Sequence, residues 1–150
     1  MFIRAATEED CQTLADFNCA LASETEDHEL DGAIVLNGVR RGLERTPEVQ
    51  YHVAEVDGEV IGQLMVTREW SDWRDGWLWW IQSVYVQAEH RGHGVFRSLL
   101  QHVTDLAAAD ADVVGIRLYV ENANDRAREV YARSGFVDPN YRVLEQIFDA

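Results

Sequence analysis

The apolar residues of this chain recur with two different periods, and each change of period marks a boundary between elements. Phe2-Ile3-Arg4-Ala5 is a short extended run, and Thr7-Glu8-Glu9-Asp10 carries the capping and acidic residues of a helix start. Leu14, Phe17, Asn18 and Leu21 then repeat at helical spacing, which predicts a helix over 8–22 with one buried stripe. Glu24, Glu26, Asp27, Glu29 and Asp31 follow without an intervening arginine and read as a solvated loop. A second helix is predicted over 31–44, with Asp31 as N-cap and Val35, Val39 and Leu43 along one face. Gly38 and Gly42 weaken it by about 1 kcal/mol each relative to alanine, so it is expected to be mobile or bent.

The middle of the chain is extended. Strands are predicted over 51–56 and 60–66, joined by Asp57-Gly58, a two-residue hairpin turn. A connection over 68–76 carries Trp70 and Trp73, and a fourth strand follows over 77–86. Arg91-Gly92-His93-Gly94 breaks that strand, and Phe96, Leu99, Leu100, Val103 and Leu106 restore the helical period over 95–109. A fifth strand is predicted over 113–120, then a helix over 125–133 capped by Asn124 and ended by Gly135. The segments 136–137 and 141–148 read as short closing strands. A strand, a helix and a strand in succession make the fourth and fifth strands parallel. The expectation is one α/β domain over 1–150 with a mixed sheet.

Composition narrows the partners. The formal net charge is −14, and all 13 basic residues are arginine. Such a surface repels nucleic acid and anionic membrane and attracts a cationic substrate, although genome composition or salt adaptation also accounts for the acidity. No apolar run is long enough to span a membrane, and the N-terminus lacks a secretory pattern, so the cytoplasm is the expected compartment. Cys11 and Cys19 on one helix would stand about 12 Å apart, beyond disulfide reach, and read as buried free thiols. No His or Cys residues stand at metal-ligand spacing, so no metal is expected.

The glycine turn is the candidate site. A glycine-rich turn that opens a helix offers unpaired N–H groups at the positive end of the helix dipole, which suits phosphate. A phosphate loop of the Gly-x-x-x-x-Gly-Lys-Ser/Thr type is impossible without lysine. A dinucleotide fingerprint fails because Arg97 occupies the third glycine position after Gly92 and Gly94. With Asn124-Asp125-Arg126-Ala127-Arg128-Glu129-Val130-Tyr131 and Gly135-Phe136 downstream, and the hairpin Asp57-Gly58-Glu59-Val60-Ile61-Gly62 upstream, the chain resembles the GNAT superfamily of acyl-CoA-dependent N-acetyltransferases over nearly its whole length.

That resemblance implies a mixed, mostly antiparallel central sheet flanked by helices, and acetyl-CoA as cosubstrate. The family's pyrophosphate loop, Gln/Arg-x-x-Gly-x-Gly/Ala, falls on Arg91, Gly94 and Phe96, with the amides of Gly92, His93, Gly94, Val95, Phe96 and Arg97 taking the phosphates. Phe96 departs from the pattern; its ring either tightens the helix against the cofactor or turns into the core. Ser83, Val84, Tyr85 and Val86 match the strand edge that pairs with the pantetheine arm, and the Val84 N–H would support the oxyanion. Tyr131 matches the tyrosine that protonates the leaving thiolate, although it also fits a core position. Asn124 serves as N-cap and, by resemblance, contacts the cofactor or the tyrosine. The family's strand glutamate is Gln82 here, which cannot accept a proton, so Glu69, Asp72 and Glu121 stand as candidate bases beside surface or capping roles. The acidic run over 24–31 and the five tryptophans, Trp70, Trp73, Trp77, Trp79 and Trp80, suggest a small cationic amine as acceptor, while packing accounts for some of the rings. Homodimers are common in the family. The rival reading is a non-catalytic module that binds acyl-CoA as a sensor or docking domain.

Overall fold

The computed structural model describes residues 1–148, in two compact units divided after Leu118. The first unit contains β1 (Phe2–Ala5), a short 3-10 turn (Glu8–Asp10), α1 (Cys11–Glu26), α2 (Gly32–Leu43), β2 (Val49–Val56), β3 (Glu59–Ser71), β4 (Gly76–Val86), a second 3-10 turn (Ala88–His90), α3 (Val95–Ala109) and β5 (Val113–Leu118). The strands lie in chain order, β1-β2-β3-β4-β5. Every pairing is antiparallel except β4 with β5, which is parallel as the intervening helix requires. The second unit, from Tyr119, contains α4 (Asp125–Arg133).

The two faces of the sheet are covered by different helices. Leu14, Ala15 and Cys11 of α1 and Val39 of α2 pack with Tyr51 and Val53 of β2 in one apolar cluster. On the other face, Val95 and Leu99 of α3 press against Gly62, where an added Cβ would stand 3.1 Å from the Val95 methyl. Gly42 likewise belongs to packing: the Tyr51 ring lies 3.2 Å from the place its Cβ would take. Asp31 caps α2 as expected, accepting from the N–H groups of Ala33 and Ile34. Both cysteines are free thiols; Cys11 is buried, and Cys19 is half-buried rather than buried.

Several boundaries differ from the sequence expectation. Helix α1 continues to Glu26 and ends on Asp27 in the left-handed conformation, so Glu24 and Glu26 are helical and not loop. Strand β3 runs on to Ser71 because Arg68, Glu69 and Trp70 pair with Trp79, Leu78 and Trp77. Cross-strand aromatic pairing holds that ladder together, with the Trp70 and Trp77 rings 5.0 Å apart, and only 72–75 forms the turn. Strand β5 stops at Leu118. The expected strands at 136–137 and 141–148 do not form: the described residues there are irregular. Apolar alternation supplies a face but no ladder, and Asn140, in the left-handed region, donates its N–H to Asp138 in a local turn instead.

One irregularity in β4 shapes the site. Gln63 pairs with Tyr85 and Met65 with Gln82, so Leu64 alone stands opposite both Ser83 and Val84. This is a β-bulge, and Ser83 takes a φ of 52°, unusual for a residue with a side chain. Gln63, fully buried in β3, clamps the bulge: its Nε2 donates to the Ser83 carbonyl and to Asn18 Oδ1 of α1, both at 3.0 Å. The Ser83 carbonyl can only accept, which fixes the orientation of the amide.

Two outcomes test this framework. Gln63→Leu keeps the shape of the side chain but strands the Ser83 carbonyl and Asn18 in the interior, so it is expected to lower unfolding free energy by about 1–3 kcal/mol in denaturant titration; an unchanged midpoint contradicts the clamp. Asp10 accepts both Arg4 nitrogens, at 2.7 and 3.0 Å, and the Thr7 N–H at 2.7 Å. The hydrogen bond from Arg4 leads in holding its carboxyl below the usual 3.8, against a smaller opposing effect of burial. A lowered folded value means the stabilisation is complete above 3.8 and disappears as pH falls through the depressed value. Asp10→Asn should therefore destabilise the chain at neutral pH, and the gap from the parent should close in acid.

Candidate active site

The glycine turn joins the end of β4 to the start of α3. Gly92 and Gly94 have φ of 80° and 79°, a conformation that side chains resist, and an added Cβ at either would meet nothing within 4 Å. The backbone there is thus both bent and open to approach. The first amide of α3 to find a helical carbonyl is Ser98, which donates to Gly94 at 3.0 Å, so the first turn of the helix directs its amides towards the glycines. Bent glycines before a helix N-terminus are a geometry that fits a phosphate-bearing ligand. Val95 is buried under the sheet, and Phe96 is half-buried, in keeping with its place on the apolar stripe.

Arg91 braces the turn. Its Nε donates to the Val86 carbonyl at 2.8 Å, its Nη2 reaches Glu24 at 3.3 Å, and its guanidinium lies 5.3 Å from the Tyr85 ring centre. Tyr85 stacks obliquely on Phe17 of α1 at 5.0 Å, and burial first, then Glu24, raises its phenol above the usual value. The acidic end of α1 is therefore bound to the turn and is not simply solvated. His93 is exposed, with Nδ1 3.4 Å from the His90 carbonyl.

The strand leading into the turn is open along one edge. The ladder between β4 and β5 runs from Trp77 to Ile81 and ends at the Ile81–Leu118 pair. Gln82, Ser83, Val84, Tyr85 and Val86 therefore have no ladder partner on the β5 side among the described residues. The bulge lies within that stretch and turns backbone groups of Ser83 and Val84 away from the regular β3 ladder.

The face of β4 carrying Trp80 and Gln82 holds a polar group. Gln82 Nε2 donates to Thr67 Oγ1 at 2.6 Å. Glu69 Oε1 accepts from Trp80 Nε1 at 2.9 Å and from Arg117 at 2.8 Å, and Arg117 lies 6.0 Å from the Trp80 ring centre. Glu69 is thus held by a cation and an indole, which suits a structural carboxylate better than a base. The tryptophans do not gather. Trp79 is buried on the α3 face, Trp70 and Trp77 pair with each other, Trp73 is exposed in the turn, and Trp80 stands on the opposite face. Asp72 lies exposed in the β3–β4 turn.

The second unit holds the remaining candidates. Asn124 Oδ1 accepts from the Ala127 N–H at 3.1 Å, the N-cap expected of it. Glu121 is exposed, beyond the end of β5, and its carbonyl accepts from the Asn124 N–H at 2.9 Å. Tyr131 lies on α4 with the Phe136 ring 5.8 Å away, and burial raises its hydroxyl above the usual value, which keeps it protonated at neutral pH. The Phe136 N–H returns to the Tyr131 carbonyl at 3.0 Å past Gly135, whose φ is 93°. Among the described residues, no cluster of three or more His, Cys, Asp or Glu could hold a metal ion, and no helix is long and apolar enough to cross a membrane. Gln63 and Asn18 are the residues of this region that the motifs do not reveal.

Comparison with known proteins agrees with this geometry. The model of the acetyltransferase (GNAT) family matches residues 10–136. A possible acetyltransferase of known structure from Clostridium difficile 630 is 40% identical, covers 99% of this chain and 98% of its own, and superposes with a TM-score of 0.92. A "predicted acetyltransferase with acetyl-CoA" from Clostridium acetobutylicum, 17% identical, shares the fold with a TM-score of 0.78 over 97% of this chain and 95% of its own. Streptothricin acetyltransferase of Escherichia coli is 32% identical over 83 residues, 55% of this chain and 44% of that protein. The chain spans about half the length of the curated relatives it matches. From the glycine turn, the open edge of β4 and the family match over residues 10–136, the chain belongs to the GNAT acetyltransferase family.

Proposed function

We propose that the chain transfers an acetyl group from acetyl-CoA directly to a primary amine, and that the acceptor is a small cationic amine. The observation that carries this reading is the continuity of two features: a β4 edge without a β5 partner from Gln82 to Val86, and an open turn of two positive-φ glycines before α3. The turn amides suit the pyrophosphate of the cosubstrate, and the bulged strand suits its thioester end. In this reading the amine nitrogen bonds to the thioester carbon, the oxyanion is met by the Val84 N–H, and the C–S bond then breaks. The leaving thiolate takes a proton from Tyr131, whose role rests on the family resemblance and whose raised hydroxyl is protonated at neutral pH. Gln82 is not a base and Glu69 is held by Arg117, so the ammonium proton leaves through water, with the exposed Glu121 and Asp72 as the remaining candidate carboxylates. The net charge of −14 and the exposed carboxylates of Glu26, Asp27, Glu29 and Asp31 support a cationic acceptor.

Release of free thiol from acetyl-CoA, measured against a panel of amines that includes streptothricin, tests the reaction and the acceptor together. Turnover should favour cationic amines, and kcat/KM should rise with pH towards the acceptor's own pKa. Turnover confined to anionic amines overturns the acceptor, and acetyl-CoA binding without turnover of any amine favours a non-catalytic module. Tyr131→Phe should lower kcat by about 100-fold with little change in the KM for acetyl-CoA; a loss of less than severalfold removes Tyr131 from the proton transfer.

A further inference from the structure

A cavity lies at the end of the sheet away from the glycine turn. It is bounded by the end of β1, the start of β2, the segment after α2 and the last turn of α3. The fifteen residues of α3, about 22 Å of helix, separate this end from the glycine turn. The cavity measures about 340 Å³, within the range of small-molecule sites. Leu43 and Leu106 are among its apolar walls, and Arg68, His52 and Trp79 are among its polar ones.

Those three residues share buried nitrogens that find no partner. Arg68 Nε, Trp79 Nε1 and both ring nitrogens of His52 are buried without a hydrogen-bond partner among the described residues. His52 and Trp79 are each only 4% exposed. Arg68 lies over the Trp79 ring at 5.4 Å and makes no ion pair among the described residues. The other half-buried arginines of the sheet, Arg4 and Arg117, both have carboxylate partners. A buried polar atom without a partner costs about 1–3 kcal/mol, and all four of these nitrogens belong to residues that line this one cavity.

The chemistry of these groups selects the occupant. An indole N–H and a guanidinium can only donate, so the ligand must accept. A planar carboxylate matches the donor fork of arginine. Burial, followed by the neighbouring His102, lowers His52 to about 4, so its ring is neutral at pH 7 and adds no second charge. His102 stands edge-on to His52 at 5.4 Å. Asp110 is the acidic group on the wall; its Oδ1 already accepts from the Asp112 N–H at 2.9 Å, and its charge disfavours a dianion. Leu43 and Leu106 leave room for a short aliphatic chain. We propose that this cavity is a binding site for a small aliphatic monocarboxylate, held by Arg68 and the Trp79 indole N–H. The site stands apart from the turn and the β4 bulge and does not depend on the acyl-transfer reading.

The indole N–H resonances of the full chain in a nitrogen-15 correlation spectrum test it, with the Trp79 signal assigned by its loss in Trp79→Phe. Titration with butyrate should move the Trp79 signal saturably, with a dissociation constant in the millimolar range, and leave the Trp73 signal in place. Butylamine and inorganic phosphate should leave the Trp79 signal unmoved. Arg68→Gln should weaken butyrate binding by about tenfold or more, and Leu106→Trp, which fills the cavity from the partly exposed side of α3, should abolish the shift. The proposal is overturned by an absent or unsaturable shift, by equal movement with phosphate, or by unchanged affinity in both variants.

Discussion

The hydrogen bond from Gln63 to the Ser83 carbonyl is the constraint on which the active face depends. Without it, β4 could continue as a regular neighbour of β3, with no extra residue and no left-handed Ser83. With it, two residues of β4 face one of β3, and the strand bends within the stretch where β5 no longer pairs. Asn18 completes the clamp from α1, so the helix that covers this face also fixes the irregularity beneath it. A bulge is maintained only where its surroundings over-determine it. Here a fully buried amide, a helix side chain and the aromatic pair Phe17–Tyr85 meet at that place.

Electrostatics organises the rest. The chain is strongly acidic, and its paired arginines act as struts. Arg4 ties β1 to the start of α1 through Asp10, Arg91 ties the glycine turn to Glu24, and Arg117 ties β5 to Glu69 of β3. The turn therefore keeps its shape through side chains, which leaves its backbone amides available to a ligand. Arg68 is the exception among the half-buried arginines of the sheet, being stacked on Trp79 without a carboxylate. Two of these arginines sit beside tryptophans that the acceptor hypothesis had grouped together. The rings instead divide between the two faces of β4, and Trp80 is already covered by a cation of the chain itself.

Where one period dominates, the fold is legible in the sequence. The stripe from Val95 to Leu106 yields α3, the strand–helix–strand order yields the parallel pair, and Asp31, Asn124 and Gly135 act as the caps they resemble. Legibility ends where a partner decides the outcome. Arg68 to Ser71 look like loop until Trp77 and Leu78 pair with them, and 141–148 look like strand although no ladder forms there. The glycine turn was readable because φ near 80° demands glycine. The clamp was not, because it joins two polar residues forty-five positions apart. Its trace is present all the same: Gln63 is the single polar residue in an otherwise apolar stretch from Val60 to Val66, and Asn18 interrupts the buried stripe of α1.

The central claim is that one continuous piece of chain, the bulged end of β4 and the turn after it, receives the cosubstrate. A crystal structure of the full chain with acetyl-CoA bound measures this directly. The account predicts pyrophosphate oxygens within hydrogen-bond distance of amides between Gly92 and Arg97, and the thioester carbonyl against the Val84 N–H. Acetyl-CoA bound elsewhere, or with its thioester away from the bulge, would contradict it.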